Sequence, residues 1–322
     1  MTANRRRRLL PWVMFCAVVL QAATGTVTRA ATINCPEADQ AALNWLDKMS
    51  RSLRQVSYHG VVILQRHDGV QVMQVSHFVD NGSSSERLIE LTGQGAQVER
   101  KSHPLDCVHP GDRLLRMETL SDVERCGIAE QYQFTVAERE RVAGRDAVRI
   151  KVEPRDMYRF GYVLSLDQET GLLLKSQTIS QGHKTLETMQ FARLSYSDVM
   201  PASPAIDAVH QAQHPQANDV RVQASVARAW TVGWVPRGFS ATDSTPGRSG
   251  RRTYTDGLAV FSLFMEDLDI EIRPGEGLIL QGGTTTYTRG MRVSDQPVLV
   301  TVIGEVPVNT ARMVADSVSW VQ

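Results

Sequence analysis

Between Arg141 and Leu194 the chain repeatedly alternates apolar and polar residues, and this pattern restricts the fold more than any other feature. Val148, Ile150 and Val152 alternate with Arg149, Lys151 and Glu153. Tyr158, Phe160, Tyr162, Leu164 and Leu166 then share one side, with Arg159, Gly161 and Ser165 on the other. A period of two is the signature of half-buried strands. Breaks fall at Pro154-Arg155-Asp156, at Asp167 to Gly171 and at Gln181-Gly182-His183, each with a turn-forming residue. Two further strands, Leu172–Ser180 and Thr185–Leu194, complete an antiparallel meander with one apolar face that the rest of the chain must cover.

Upstream, Ala42, Leu43, Leu46, Met49 and Leu53 recur at helical spacing and predict an amphipathic helix from Pro36 to about Arg54, with Trp45 beside the stripe. Strands follow at Val61–Arg66 and Val70–Val79 around the hairpin signal Asp68-Gly69, then at Glu86–Leu91 after Asp80-Asn81-Gly82. Weaker strands are expected at Gln97–Lys101 and Leu114–Thr119, and Tyr132–Val136 joins the meander. A twisted sheet of eight to ten strands must close, pack on another sheet or be covered. One helix of about 28 Å cannot cover that surface. The expected architecture is mainly β (α+β): an unclosed antiparallel β-barrel enclosing a helix, with a hollow interior suited to an apolar ligand. Trp45, Leu46, Met49, Phe160, Tyr162 and Leu164 are the candidate cavity residues.

Residues 200–218, with Pro201, Pro204 and Pro215 among Ala, Gln and His, read as a linker between a large domain (31–199) and a small one (219–322). In the small domain Trp230, Val232 and Trp234 alternate. Asp256-Gly257 sets a hairpin between Arg251–Thr255 and Leu258–Glu266, and strands follow at Thr284–Val293 and Val298–Ile303. Pro307 opens a terminal helix with Val308, Ala311, Val314, Ala315 and Val318 on one face. The intervening stretch Asp267–Gly283, rich in glycine and charge, reads as a mobile loop.

Arg5–Arg8, an apolar stretch Leu9–Ala23 and Thr28-Arg29-Ala30 read as a secretory signal peptide (residues 1–30) cleaved near Ala30, leaving an exported periplasmic protein. The 35 basic and 35 acidic residues then become 30 and 35, so no bulk basic surface attracts nucleic acid. In an oxidising compartment Cys107 and Cys126 are the best disulfide candidates, closing a loop of about twenty residues for roughly 3 kcal/mol; pairings through Cys35 stay open. The cluster His103, Asp106, Cys107 and His109 matches no ordinary zinc spacing and reads as a disulfide with surface histidines, so no metal is expected. Serine-hydrolase, zincin, Walker and dinucleotide motifs are missing. Glu153, Asp167 and Glu187 read as solvent-face strand residues and form no acid–base pair. The chain reads as a non-enzyme without cofactors.

Arg141 to Tyr162 (RVAGRDAVRIKVEPRDMYRFGY), with Leu166-Asp167, Thr170-Gly171-Leu172 and Leu186-Glu187, resembles the RseB/MucB family of sigma-E regulatory proteins. Tyr58-His59-Gly60 and Glu86-Arg87-Leu88 upstream, and Trp234 to Phe239 (WVPRGF), Tyr254 to Gly257 (YTDG), Gly304 to Pro307 (GEVP) and Thr310-Ala311 downstream, extend the likeness over the whole mature chain. The compact, cysteine-bearing region Gly111–Ile128 departs from it. The resemblance implies a large domain like the lipoprotein carriers LolA and LolB, and a small domain that helps hold the periplasmic part of a membrane-bound anti-sigma factor of the RseA/MucA type. It also implies that the complex shields that factor from site-1 proteolysis until a lipid or lipopolysaccharide signal releases it; a homodimer is compatible with it. Trp230, Trp234, Phe239 and Tyr254 are the candidate partner-binding aromatics, because aromatic side chains anchor interfaces. A lipid or lipoprotein carrier is the competing reading.

Overall fold

A computed structural model describes residues 39–93, 96–104, 127–197, 209–211, 229–242, 250–268 and 275–321. The first element is helix α1 (Gln40–Gln55). It starts later than its apolar spacing suggests because Asp39 caps it: one carboxylate oxygen accepts from the Ala41 and Ala42 amides at 2.9 and 3.3 Å. The other oxygen accepts from Val136 N at 3.2 Å, which ties the helix start to the sheet.

Strands β1 (Tyr58–Arg66), β2 (Gly69–Asp80), β3 (Ser83–Glu90), β4 (Gln97–Pro104), β5 (Tyr132–Val142), β6 (Arg145–Pro154), β7 (Gly161–Asp167), β8 (Leu173–Ile179), β9 (Thr185–Tyr196) and β10 (Val209–Gln211) form one sheet. Its order among the described residues is β10-β4-β3-β2-β1-β9-β8-β7-β6-β5, so the two edges do not meet and the barrel is unclosed, as expected. Neighbours are antiparallel except β10, which runs parallel to β4; the stretch read as a linker thus contributes three residues to this edge. Two-residue turns set the hairpin registers. Asn81 and Gly82 take φ of 46° and 78° between the paired Asp80 and Ser83, the twist-matched geometry for which Asn-Gly is favoured.

The C-terminal part holds β11 (Trp230–Val232), β12 (Ser240–Ala241), β13 (Arg251–Thr255), β14 (Val260–Asp267), β15 (Gly275–Gln281), β16 (Thr284–Val293), β17 (Gln296–Gly304), helix α2 (Val308–Asp316) and β18 (Val318–Trp320). The second sheet runs β12-β13-β14-β17-β16-β15, and β11 pairs with β18. Phe261, Leu263, Met265, Tyr287, Val298, Val300 and Val302 alternate onto one buried face, sealed by Ala311, Val314 and Ala315 of α2. The opposite face carries Thr253, Ser262, Thr288 and Thr301, paired through hydroxyl contacts.

Three readings of the sequence are corrected here. Gly275–Gln281, expected as part of a mobile loop, is edge strand β15: its seven backbone positions pair with β16 although every side chain is exposed, so ladder bonds override glycine content. Tyr158–Phe160 precede β7 as a loop rather than forming its start. Pro307 caps α2 from outside the helix, and Val318 belongs to β18.

Candidate binding site

The apolar face of the large sheet carries two clusters. In the first, Leu43, Leu46 and Met49 of α1 pack on Phe134, Ile150, Tyr162 and Leu164. Of the six candidate cavity residues, Leu46, Met49, Tyr162 and Leu164 meet here. Trp45 packs half-buried against them with Lys48 Nζ 4.8 Å from its ring centre, and Phe160 is buried outside this cluster. The candidates therefore meet one another through helix–sheet packing.

The second cluster follows from register. Tyr162 pairs with Thr178, Thr178 with Glu187, and Glu187 with Arg66, so these share one side of the sheet. Alternation then puts Val62, Leu64, Met73, Val75, Leu88, Met189 and Phe191 on that side too. Val62 and Phe191 are buried, but Leu64, Met73, Val75 and Met189 are only half-buried and Leu88 is 38% exposed. A helix about 10 Å across covers roughly two strands at about 4.8 Å spacing, and α1 lies toward β5 and β6. The result is an apolar patch over β3, β2, β1 and β9 that is only partly covered: Met73, Val75 and Met189 pack against a buried cluster of Val62, Phe191, Leu174, Val142 and Ala147 and keep some exposed surface. A separate groove of about 570 Å3 lies near the ends of β6, β7 and β8, with Lys151, Gly161, Val163 and Ile179 among its lining.

The second sheet presses on the same face. Leu258, in the β13–β14 turn, packs against the first cluster. The β15–β16 turn reaches farther: a Cβ on Gly282 would crowd Glu187, and one on Gly283 would stand 2.9 Å from Thr178 Cγ2, so the turn lies closely on β8 and β9, and Gly282 also takes a φ of 57° that favours glycine. Arg66 Nε pairs with Glu187 at 3.2 Å beneath this turn.

Beside it lies a buried polar knot. Arg159, with no exposed surface, donates from Nη1 to Asp256 Oδ2 at 2.7 Å, from Nε to Asp156, and from Nη2 to the Arg237 carbonyl. Tyr132 Oη donates to the same Asp256 oxygen at 2.8 Å, while Asp256 Oδ1 accepts from the Leu258 and Ala259 amides. Burial alone would lower the Arg159 pKa, but Asp256 and the other neighbours outweigh it and raise the value. Burial, reinforced by Asp256, holds the Tyr132 hydroxyl well above its ordinary value, so it stays a donor. Tyr158 stacks edge-on against Trp234 at 5.2 Å and accepts a 2.8 Å bond from Thr310 Oγ1 through its carbonyl.

The partner-binding candidates separate here. Trp230, Phe239 and Tyr254 are buried in the core of the second sheet, and Trp234 is half-buried against it while meeting Tyr158. Of the carboxylates read as solvent-facing, Glu153 is exposed and the other two are corrected. Asp167 is 1% exposed and accepts from Arg145 Nε, and Glu187 lies under the β15–β16 turn. Arg159, Asp256 and Glu305 were not singled out from sequence; the only signal was a charged residue between Tyr158 and Phe160. Cys107, Cys126, Asp106 and His109 lie outside the described residues, as do Cys35 and the strand expected at Leu114–Thr119; for His103 the backbone alone, in β4, is described. Among the described residues no helix is long and apolar enough to cross a membrane.

An open sheet with spare apolar surface, locked to a smaller sealed sheet, defines a two-part binding protein. The chain matches the family models described as the MucB/RseB N-terminal domain over residues 41–217 and the MucB/RseB C-terminal domain over residues 224–319. It belongs to the MucB/RseB family. It is 32% identical over 290 residues to the sigma factor AlgU regulatory protein MucB of Pseudomonas aeruginosa, covering 86% of this chain and 90% of that one. It is 23% identical over 316 residues to the sigma-E factor regulatory protein RseB of Escherichia coli K12, covering 92% and 95%. The crystal structure of MucB in complex with MucA(peri) superposes with a TM-score of 0.67 at 30% identity, over 88% of this chain and 99% of that one.

Proposed function

We propose that this chain is a periplasmic negative regulator of an envelope-stress sigma factor: it binds the periplasmic part of a membrane-bound anti-sigma factor and shields it from the first proteolytic cut. The observation that supports this most is the similarity over nearly the whole chain to MucB crystallised with MucA(peri). Residues 1–30 are then a cleaved signal peptide, 31–199 and 219–322 the two domains, and Cys107–Cys126 a disulfide. Of the aromatic candidates, Trp234 keeps exposed surface for a partner, while Trp230, Phe239 and Tyr254 act through the sheet they stabilise. The test is titration of the purified mature protein with the periplasmic segment of the anti-sigma factor encoded in the same organism, with and without the site-1 protease. Micromolar or tighter binding and slowed cleavage are expected; no binding at micromolar concentration rejects the reading.

The partly covered patch of Met73, Val75 and Met189, with Leu88 exposed beside it, supports the release signal being a lipid or lipopolysaccharide acyl chain, and it equally suits a lipid carrier. A ligand that loosens the complex must prefer the conformation that binds the anti-sigma factor poorly. Native mass spectrometry distinguishes the readings: a regulator loses affinity for the anti-sigma segment when lipid is added, and a carrier retains lipid with no such coupling.

A further inference from the structure

His77 lies on the same side of β2 as Val75 and pairs with Tyr58 of β1 and Glu86 of β3. Two residues away, Val75 and Leu88 begin the apolar patch. The His77 side chain is 4% exposed. Its Nδ1 stands 2.9 Å from the carbonyl of Val56, the residue that caps the C-terminal end of α1. A carbonyl only accepts, so Nδ1 carries the hydrogen, and in the neutral ring Nε2 is left with a lone pair. That nitrogen faces Glu86 Oε1 at 4.0 Å, acceptor against acceptor and too far for a hydrogen bond. The ring stacks on Tyr58 at 5.5 Å, and Tyr58 meets Phe191 of the second apolar cluster edge-on at 5.9 Å.

We propose that His77 is a proton-operated clasp: a proton on its ring draws Glu86 in and ties the end of α1, β2 and β3 together at the border of the apolar patch. Loss of that proton opens the tie on the Glu86 side. Protonation turns Nε2 from acceptor into donor, so the gap to Glu86 closes into a charge-assisted hydrogen bond. A carboxylate has two oxygens and serves more than one donor, so Glu86 need not give up its other contacts. The ring also sits where a helix favours a cation, at its C-terminal carbonyls, while burial opposes the charge. Histidine is the side chain that ordinarily changes charge between about pH 5 and pH 8. The other groups around it keep one state over that range. Tyr58 is pushed up to about 12 by burial and then by Glu86, and burial above all pushes Tyr196, its neighbour on β9, up to about 12. Arg54 in the last turn of α1 and Arg100, opposite Glu86 on β4, are arginines and stay charged. The closed clasp holds one proton more than the open one, so it is favoured as the pH falls and lost as the pH rises. It weakens again only where Glu86 is itself protonated. The clasp is a property of this chain alone and does not depend on which partner or lipid it binds.

The test uses the full mature chain at about pH 5.5 and about pH 8. Hydrogen exchange by mass spectrometry, corrected for intrinsic exchange, follows peptides covering Val56–Tyr58 and Glu86, with the Ser294–Asp295 turn as internal reference. Ring NMR, with His77 assigned through its contact with Tyr58, follows the titration itself. In the wild type the clasp peptides are expected to lose about three- to tenfold in protection from the lower to the higher pH, while the reference does not change. E86Q, at a side chain 41% exposed, is expected to fold, to abolish that loss and to move the His77 titration to lower pH. No loss of protection in the wild type, the same loss in E86Q, or an unmoved His77 titration in E86Q overturns the clasp.

Discussion

The two sheets solve the same burial problem to different degrees. Six strands in the second sheet need one face covered, and α2 with the β11–β18 pair closes it, leaving Val298, Val300 and Val302 without exposed surface. Among the described residues, ten strands in the first sheet have one helix of sixteen residues, and the β13–β14 and β15–β16 turns cover only part of what α1 leaves. The difference is geometric, since sheet area grows with strand number while a helix keeps its width. Met73, Val75 and Met189 therefore stay half-buried against Val62, Phe191 and Val142, and Leu88 stays exposed. The sealed sheet is stability, and the unsealed one is where apolar binding is possible.

The contrast breaks most severely at the junction. Arg159→Ala leaves Asp256 buried and uncompensated, and is expected to cost about 3–5 kcal/mol in denaturant unfolding and to expose tryptophan fluorescence near Trp234. Within the sheets, Leu263→Ala in the sealed core and Leu46→Ala under α1 are each expected to cost about 2–5 kcal/mol. Met73→Ala in the open patch should cost less than either while weakening acyl-chain binding; equal losses at Met73 and Leu46 would show that the patch is packed core. Asp167 sharpens the comparison through pH. Burial opposes its ionisation, but Arg145 and the Glu169 and Thr170 amides win and hold its pKa below the ordinary 3.8. Its contribution is therefore present above that value and lost as the pH falls through the lower folded value, so the acid unfolding midpoint of Asp167→Asn should be less steeply pH-dependent than that of the wild type. The smallest effect is expected on β15, where Leu278, Ile279 and Leu280 are 50%, 60% and 58% exposed. Leu278→Lys should change stability by about 0.5 kcal/mol or less and reduce edge-to-edge self-association, read by light scattering.

Strand by strand, the alternation around Val148, Ile150 and Val152 and the Asn81-Gly82 turn were legible in the chain, because period two and turn chemistry are local. The family likeness was legible for the same reason, as its motifs are contiguous. The helix-facing side of Tyr162 and Leu164 could be read from the pattern, but not whether a lipid or α1 would meet them. Arg159 was misleading: its place between Tyr158 and Phe160 suggests an outward side chain, yet its partner Asp256 lies 97 residues away. Asp167 misled likewise, since Arg145 is adjacent only once β6 and β7 pair.

Local spacing thus determined the strands, the two helices and the division into a larger and a smaller β-rich part. Only the tertiary structure decided which carboxylates are buried, which apolar residues stay uncovered and which glycines carry the contact between the sheets. Those properties depend on distance in space between residues far apart in sequence, and a periodic pattern holds no information about what lies across from it.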